Sequence, residues 1–263
     1  MKTNSENIQA SKWLDIIVPT YNSEKWIKSC IDSLLILENC IGELIIIDDC
    51  SSDSTIEVLE KIENDYSFKI NIIRLLSNKG PSACRNIGIN HSVSSHILFI
   101  DSDDTLNISA KLMIENKDYD FTLGLHNQVQ RNNMDLSISK YTFNKAGTSS
   151  QNLEFEINKD QIFQYMINYL MLPREYCLFE HCWGKLYKKD ILNKYNLRFE
   201  EKANQLEDVL FNLEYMAHID NCYLIPEAVY NHTQNINSNR LSLQAGQDKY
   251  TYIMVDRCAE KAK

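Results

Sequence analysis

The chain has 263 residues, 44% of them hydrophobic, which is enough for one large domain or two small ones. Its formal net charge of −9 and sequence pI near 5.2 argue against a general nucleic-acid binder, which needs a basic face to neutralise phosphates. No apolar run approaches the ~20 residues that span a bilayer, and the N-terminal "MKTNSENIQASKW" lacks the apolar core of a signal peptide, so a cytoplasmic protein is expected.

Along the chain, "LDIIV" at residues 14–18 is a β-rich run that meets Pro19. In "SEKWIKSCIDSLLIL", Trp26, Ile27, Cys30, Ile31, Leu34 and Leu35 recur at helical spacing behind a capping Ser23 and Glu24. "ELIIIDDCSSDS" holds a second strand, Leu44 to Ile47, and "STIEVLEKIEND" a second amphipathic helix. "INIIRLL" reads as a third strand, "GPSACRNIGINHS" as a loop entering a helix, and "HILFI" as a fourth strand. Residues 126–160 are polar and weakly periodic, a hairpin or mobile loop. "KDQIFQYMINYLML" predicts a helix ending at Pro173. In "NQLEDVLFNLEYMAHI" the residues Leu206, Val209, Leu210, Leu213 and Met216 make one apolar stripe, and "CYLIPEAVYNH" reads as a late strand. The terminal "YTYIMVDRCAEKAK" looks helical and leaves a longer chain and loose membrane attachment open. Eight cysteines without a CxxC pair read as reduced thiols packed as small hydrophobes.

Strands alternating with helices predict an α/β fold: a mostly parallel central sheet with helices on both faces. In such sheets the ligand site lies beyond the carboxyl ends of the strands. The unusual polar residues fall there: Tyr21 and Asn22, Asp48 and Asp49, Asn78 to Gly80, and Asp101 to Asp104.

Asp101 and Asp103 alternate across an extended strand end, and carboxylates this close repel unless a cation sits between them. So few hard oxygen donors suit Mg²⁺ or Mn²⁺ that keeps the rest of its shell for water and phosphates. The structural alternative is a solvated turn with an Asp cap. Asp48 and Asp49 combine capping chemistry with the ability to accept from a nucleobase or ribose, whereas Asp53 reads as a helix-start residue. Arg85, opening a helix near the same crevice, suits a phosphate or one of the aspartates, or is a plain surface residue. Glu207 and Asp208 occupy the first turn of a helix, where the positive helix end favours acids structurally and would also keep a general base ionised.

Taken together, "IIVPTYNSEKWIKSCIDSLL", "ELIIIDDCSSDST", "NKGPSACRNIGI", "FIDSDD" and "EDVLFNLE" resemble the family 2 glycosyltransferases with the GT-A fold. The resemblance is close over residues 14–105 and resumes at "CWGKLYKKDIL", "LRFEE" and "LEDVLFNLE". It implies a nucleotide-sugar subdomain at 12–120 and an acceptor and base subdomain from 121 to the chain end. It implies an inverting transferase that uses a nucleotide sugar, typically a UDP-sugar, with Mn²⁺ or Mg²⁺. By resemblance, Pro19 and Tyr21 flank the base and Asp49 bonds it. Arg85 braces the nucleotide, Asp101 contacts the ribose, and Asp103 holds the metal with Asp104 orienting the cluster on the sugar and acceptor side. Asp208 is then the catalytic base with Glu207 beside it, and Trp183 lies near the sugar or acceptor. His232 is a further metal or phosphate ligand, or a surface histidine. Family habit implies a glycan or lipid-linked acceptor in bacterial surface polysaccharide synthesis, lipopolysaccharide or capsule, at the inner face of the cell membrane.

Three rivals fit less of the chain. A nucleotidyltransferase would want a Gly-rich basic loop where "VPTYNSEKW" stands. A receiver domain is about half this length and leaves the "LEDVLF" helix unexplained. An inactive nucleotide-binding relative would have no use for the acids at 101, 103 and 208.

Overall fold

The apolar runs of the N-terminal half become strands because helices cover both of their faces. In the computed structural model, which describes residues 12–131, 136–140, 156–171, 180–203 and 206–234, the strands β1 (Leu14–Thr20), β2 (Ile41–Asp48), β3 (Lys69–Arg74) and β4 (His96–Phe99) lie parallel. Ile16, Val18, Leu44, Ile46 and Leu98 enter one apolar cluster, and Ile17, Ile45, Ile47, Ile97 and Phe99 enter the opposite one. β1, β2 and β4 are therefore apolar on both sides, which erases the alternation that marks a half-exposed strand, whereas β3 at the sheet edge is only partly buried. Helices α1 (Ile27–Ser33) and α2 (Thr55–Ile62) pack on the first cluster, and α3 (Pro81–His91) packs on the second.

The chain continues through β5 (Thr105–Leu106), α4 (Lys111–Glu115), β6 (Phe121–Arg131), β7 (Leu136–Lys140), β8 (Glu156–Asn158), α5 (Lys159–Met171), β9 (Lys185–Lys188), α6 (Lys189–Lys194), α7 (Glu207–Met216) and β10 (Asn221–Gln234). One sheet runs β3-β2-β1-β4-β9-β6-β10-β5, with β7 paired to β6 and β8 to β10. β9 is antiparallel to both neighbours, β6 and β10 are parallel, and the sheet crosses residue 120 without a break. Strand order reverses between β1 and β4, which is where an open α/β sheet forms its ligand crevice.

Several expectations are refined. β1 does not stop at Pro19 but pairs through Thr20 with Asp48. The Ile17 carbonyl accepts from Ile100 and the Thr20 carbonyl from Asp49, so alternate residues of β1 address β4 and β2. Pro19 addresses the β4 side, where the ladder ends at Ile17 opposite Phe99, and its missing N–H leaves no bond unmade. The first helix starts only at Ile27, and Ser23 supplies a backbone carbonyl to the turn before it instead of a side-chain cap. β3 ends at Arg74, leaving Leu76 exposed. Within the 126–160 stretch read as a hairpin or mobile loop, β6 pairs antiparallel with β7, and residues 132–135 and 141–155 lie outside the described residues. Of the expected stripe Val209, Leu213 and Met216 are buried while Leu206 and Leu210 are half-buried, and the buried face of α7 also includes Phe211, Asn212 and Tyr215. Cys30, Cys40, Cys84, Cys182 and Cys222 are free and buried, and Cys50 is free and half-buried. Cys177, Cys258 and the C-terminal segment read as helical lie outside the described residues. Among the described residues no helix is long and apolar enough to cross a membrane.

Candidate active site

The loops leaving β1, β2 and β4 are bonded to one another, so the floor of the crevice is a single unit. Asn22 Oδ1 accepts from the Ser52 N–H at 2.8 Å, Thr55 Oγ1 from the Ser23 N–H at 2.7 Å, and Asp53 Oδ2 from the Glu24 N–H at 3.1 Å. The hydroxyls of Ser23 and Ser102 meet at 2.7 Å, joining the β1 loop to the aspartate turn. Asp53 also accepts from the Thr55 N–H, the helix-start role expected of it. Asp48 is fully buried and spends its carboxylate on the Ser51 N–H, shaping the loop.

Asp49 is buried and ties the end of β2 to the loop before α3, accepting from Lys79 N–H at 2.7 Å and Gly80 N–H at 2.8 Å. Gly80, at φ 85°, turns the chain into α3, and Pro81 opens the helix where its missing N–H is harmless. Pro19 is half-buried and Tyr21 is 51% exposed on the β1 side of the same crevice.

Arg85 in the first turn of α3 is the hub. Its Nη2 donates to Asp101 Oδ1 at 2.9 Å and its Nη1 to Asp208 Oδ1 at 3.1 Å, joining the end of β4 to the start of α7. The arginine brings together acids that the resemblance assigns to donor and base, and itself stands behind them: its side chain is 5% exposed against 30% for Asp101 and 14% for Asp208. Burial opposes its charge, and the neighbouring acids, Asp208 foremost, more than restore it. Asp208 Oδ2 accepts from the Cys182 N–H at 3.1 Å, so both of its oxygens are oriented. Glu207 beside it has its pKa raised, first by burial and then by the Asp208 charge.

The turn after β4 divides its labour. Asp103 is half-buried in the turn, whereas Asp104 has no exposed surface. Asp104 Oδ1 accepts from the Thr233 N–H at 2.6 Å, and Oδ2 from the Tyr230 hydroxyl at 2.8 Å and bonds His232 Nδ1 at 3.1 Å. Three partners on β10 thus hold this fully buried acid. His232 is half-buried and built into that anchor, which corrects the surface alternative.

Trp183 is 4% exposed and lies in a column of parallel rings. His181 is 4.3 Å from it at 9° and Tyr230 4.4 Å at 6°. Two coplanar rings that close to one indole cannot share a face without overlapping, so Trp183 is sandwiched. Its faces are covered, and the half-exposed His181 is the outer ring of the column. His181 and Tyr230 were not anticipated from the sequence. Tyr230 and His232 sit at i and i+2 on one strand, a same-face pattern that would have linked them.

Among the described residues no three His, Cys, Asp or Glu side chains form a metal cluster on their own. A hard divalent cation needs only one or two carboxylates when diphosphate oxygens and water complete its shell. Asp103, a half-buried carboxylate in the strand-end turn, fits that requirement.

A family model described as glycosyl transferase family 2 matches residues 15–195. EpsJ of Bacillus subtilis strain 168, described as an uncharacterized glycosyltransferase, is 28% identical over 230 residues, covering 86% of this chain and 62% of that protein. The poly(ribitol-phosphate) beta-N-acetylglucosaminyltransferase TarP of Staphylococcus aureus strain N315 is 30% identical over 218 residues, 80% of this chain and 59% of TarP. The chain thus spans about three fifths of the length of these relatives. The crystal structure of S. aureus TarS 1-349 in complex with UDP-GlcNAc superposes with a TM-score of 0.64 at 23% identity, covering 89% of this chain and 61% of that one. The sheet order, the crevice at its reversal and the family match over most of the chain converge: this protein belongs to glycosyl transferase family 2 and carries its GT-A fold.

Proposed function

We propose that the protein is an inverting glycosyltransferase that moves a sugar from a UDP-sugar to a hydroxyl of a bacterial surface glycopolymer. The observation that carries this reading is the placement of Asp208 at the N-terminus of α7, oriented by Arg85 and the Cys182 N–H, facing the strand-end acids of the reversal crevice. Proton abstraction needs an oriented carboxylate within reach of the acceptor, and such a group typically contributes ~10²–10⁴ in rate. In this reading Asp208 takes the acceptor proton while the bond from the anomeric carbon to the diphosphate breaks and the bond to the acceptor oxygen forms. Asp101 receives the ribose side of the donor. Asp103 would hold a Mn²⁺ or Mg²⁺ that neutralises the departing diphosphate. Pro19, Tyr21 and Asp49 line the base side.

Support for the donor class comes from the related fold crystallised with UDP-GlcNAc. Support for a surface polymer comes from relatives whose names specify poly(ribitol phosphate). A phosphopolyol polymer thereby joins lipopolysaccharide and capsule as an acceptor class to test. The test is a panel of UDP-sugars with Mn²⁺, read as UDP release, run with wild type and Asp208→Asn. The variant should lose at least 10²-fold in turnover while UDP still raises its melting temperature. Wild-type turnover in Asp208→Asn would rule out the base assignment.

A further inference from the structure

We infer that Arg85 is a positioning residue for the reaction: it sets the base Asp208 against the donor-side Asp101 and does not brace the nucleotide itself. The inference rests on the reading of Asp208 as base. The guanidinium is planar and offers a fixed fork of donors, and here its two arms go to two different acids that are 107 residues apart in sequence (208 − 101). One rigid group therefore fixes the relative geometry of the donor and acceptor sides of the crevice. A lysine ammonium, a point charge on a flexible stem, has no such fork.

The burial gradient points the same way. Arg85 is the least exposed of the three, so a ligand in the crevice reaches the two carboxylates more readily than the guanidinium. Its own seat is fixed from below. The Phe199 ring lies 5.4 Å from the guanidinium carbon, and the next residue on α3, Asn86, grips the Phe199 backbone on both sides, donating to its carbonyl at 2.9 Å and accepting from its N–H at 2.8 Å. Phe199 in turn stacks on Phe211 of α7 at 3.9 Å, so Arg85, its floor and the helix that carries the base form one packed unit. On Asp208 each oxygen holds one protein donor, which leaves a lone pair on each for the acceptor hydroxyl. A misplacement of about 1 Å in such a constellation can cost about 10²-fold in rate.

The test uses the full chain, Mn²⁺, the UDP-sugar that wild type turns over fastest, and the variants Arg85→Lys, Arg85→Ala and Asp208→Asn. Expected for both Arg85 variants is a kcat lowered about 10²-fold with the donor KM within about threefold, and a melting-temperature rise on adding UDP equal to that of wild type. Guanidinium ion at millimolar concentration should restore part of the Arg85→Ala turnover and none of that of Asp208→Asn. If Arg85→Ala does not fold, Arg85→Lys carries the comparison alone. A raised donor KM with unchanged kcat, or loss of the UDP-induced shift in a folded variant, would place Arg85 on the nucleotide and overturn the inference. Wild-type turnover in Asp208→Asn would instead remove the base, and the inference with it.

Discussion

Glu207 and Asp208 are neighbours in the first turn of α7, and among the described residues it is Asp208 that receives donors from other elements, the Arg85 guanidinium and the Cys182 N–H. Glu207 has its pKa raised above the ordinary 4.5, by burial and then by the Asp208 charge. Its protonated form is favoured in the folded protein, so its contribution is fully present below about pH 4.5 and is lost as pH rises through the folded pKa. At neutral pH the ionised group costs stability. Glu207→Gln should therefore raise the melting temperature at pH 7.5 by about 2 °C, a modest figure because solvent still reaches the side chain. The gain should shrink toward pH 4.5, and a gain independent of pH would refute the electrostatic account. Both acids were legible in the sequence as a pair at a helix start. What was not legible is which acid would be oriented, because that depends on Arg85 and Cys182, far away in the chain. His181 was invisible for a similar reason: its role comes from ring contacts made across an irregular segment with no period to read.

At the scale of elements, the strands and helices of the N-terminal half were readable because burial on two faces leaves unbroken apolar runs. Their ends were less so. Cys50 and Leu206 adopt left-handed backbone conformations, at φ 63° and 67°, in the loop after β2 and at the start of α7, and neither residue type announces such a conformation. Asn22, at φ 50°, does announce it, since asparagine tolerates that region. These three sit at loops that build the crevice, whereas Asn196, at φ 51°, follows α6. Gly88 on α3 marks a different need. A Cβ there would stand 2.4 Å from Ile17 Cγ2, and Ile17 is fully buried at the end of the β1–β4 ladder. Gly88→Ala should gain up to about 1 kcal/mol of helix propensity and lose about 1–3 kcal/mol to overpacking. The net expectation is a lower melting temperature, with turnover falling as well because α3 carries Arg85. A more stable Gly88→Ala would mean that α3 can shift away from β1 freely.

At the scale of the molecule, the reversal of strand order between β1 and β4 delivers several buried strands' worth of polar ends to one place, and the fold has only partly compensated them. Arg85 serves two acids with one charge, Asp104 is held by β10, and Asp103 sits half-buried in the turn after β4. Like charges held together by the scaffold are relieved by a cation and by ligand donors, so the native state should gain free energy when both arrive. A ligand at 100 times its Kd that binds only the folded chain adds about 2.7 kcal/mol, which in a domain of this size corresponds to a rise of about 5–10 °C in melting temperature. UDP with Mn²⁺ should produce a rise of that order, larger than UDP or Mn²⁺ alone. Asp103→Ala should keep the UDP part and lose the increment that needs metal. A melting temperature indifferent to UDP and Mn²⁺ together would mean that the strand-end acids are a solvated turn, the bland alternative that the sequence left open. It would also leave the paired use of Arg85 without a ligand to explain it.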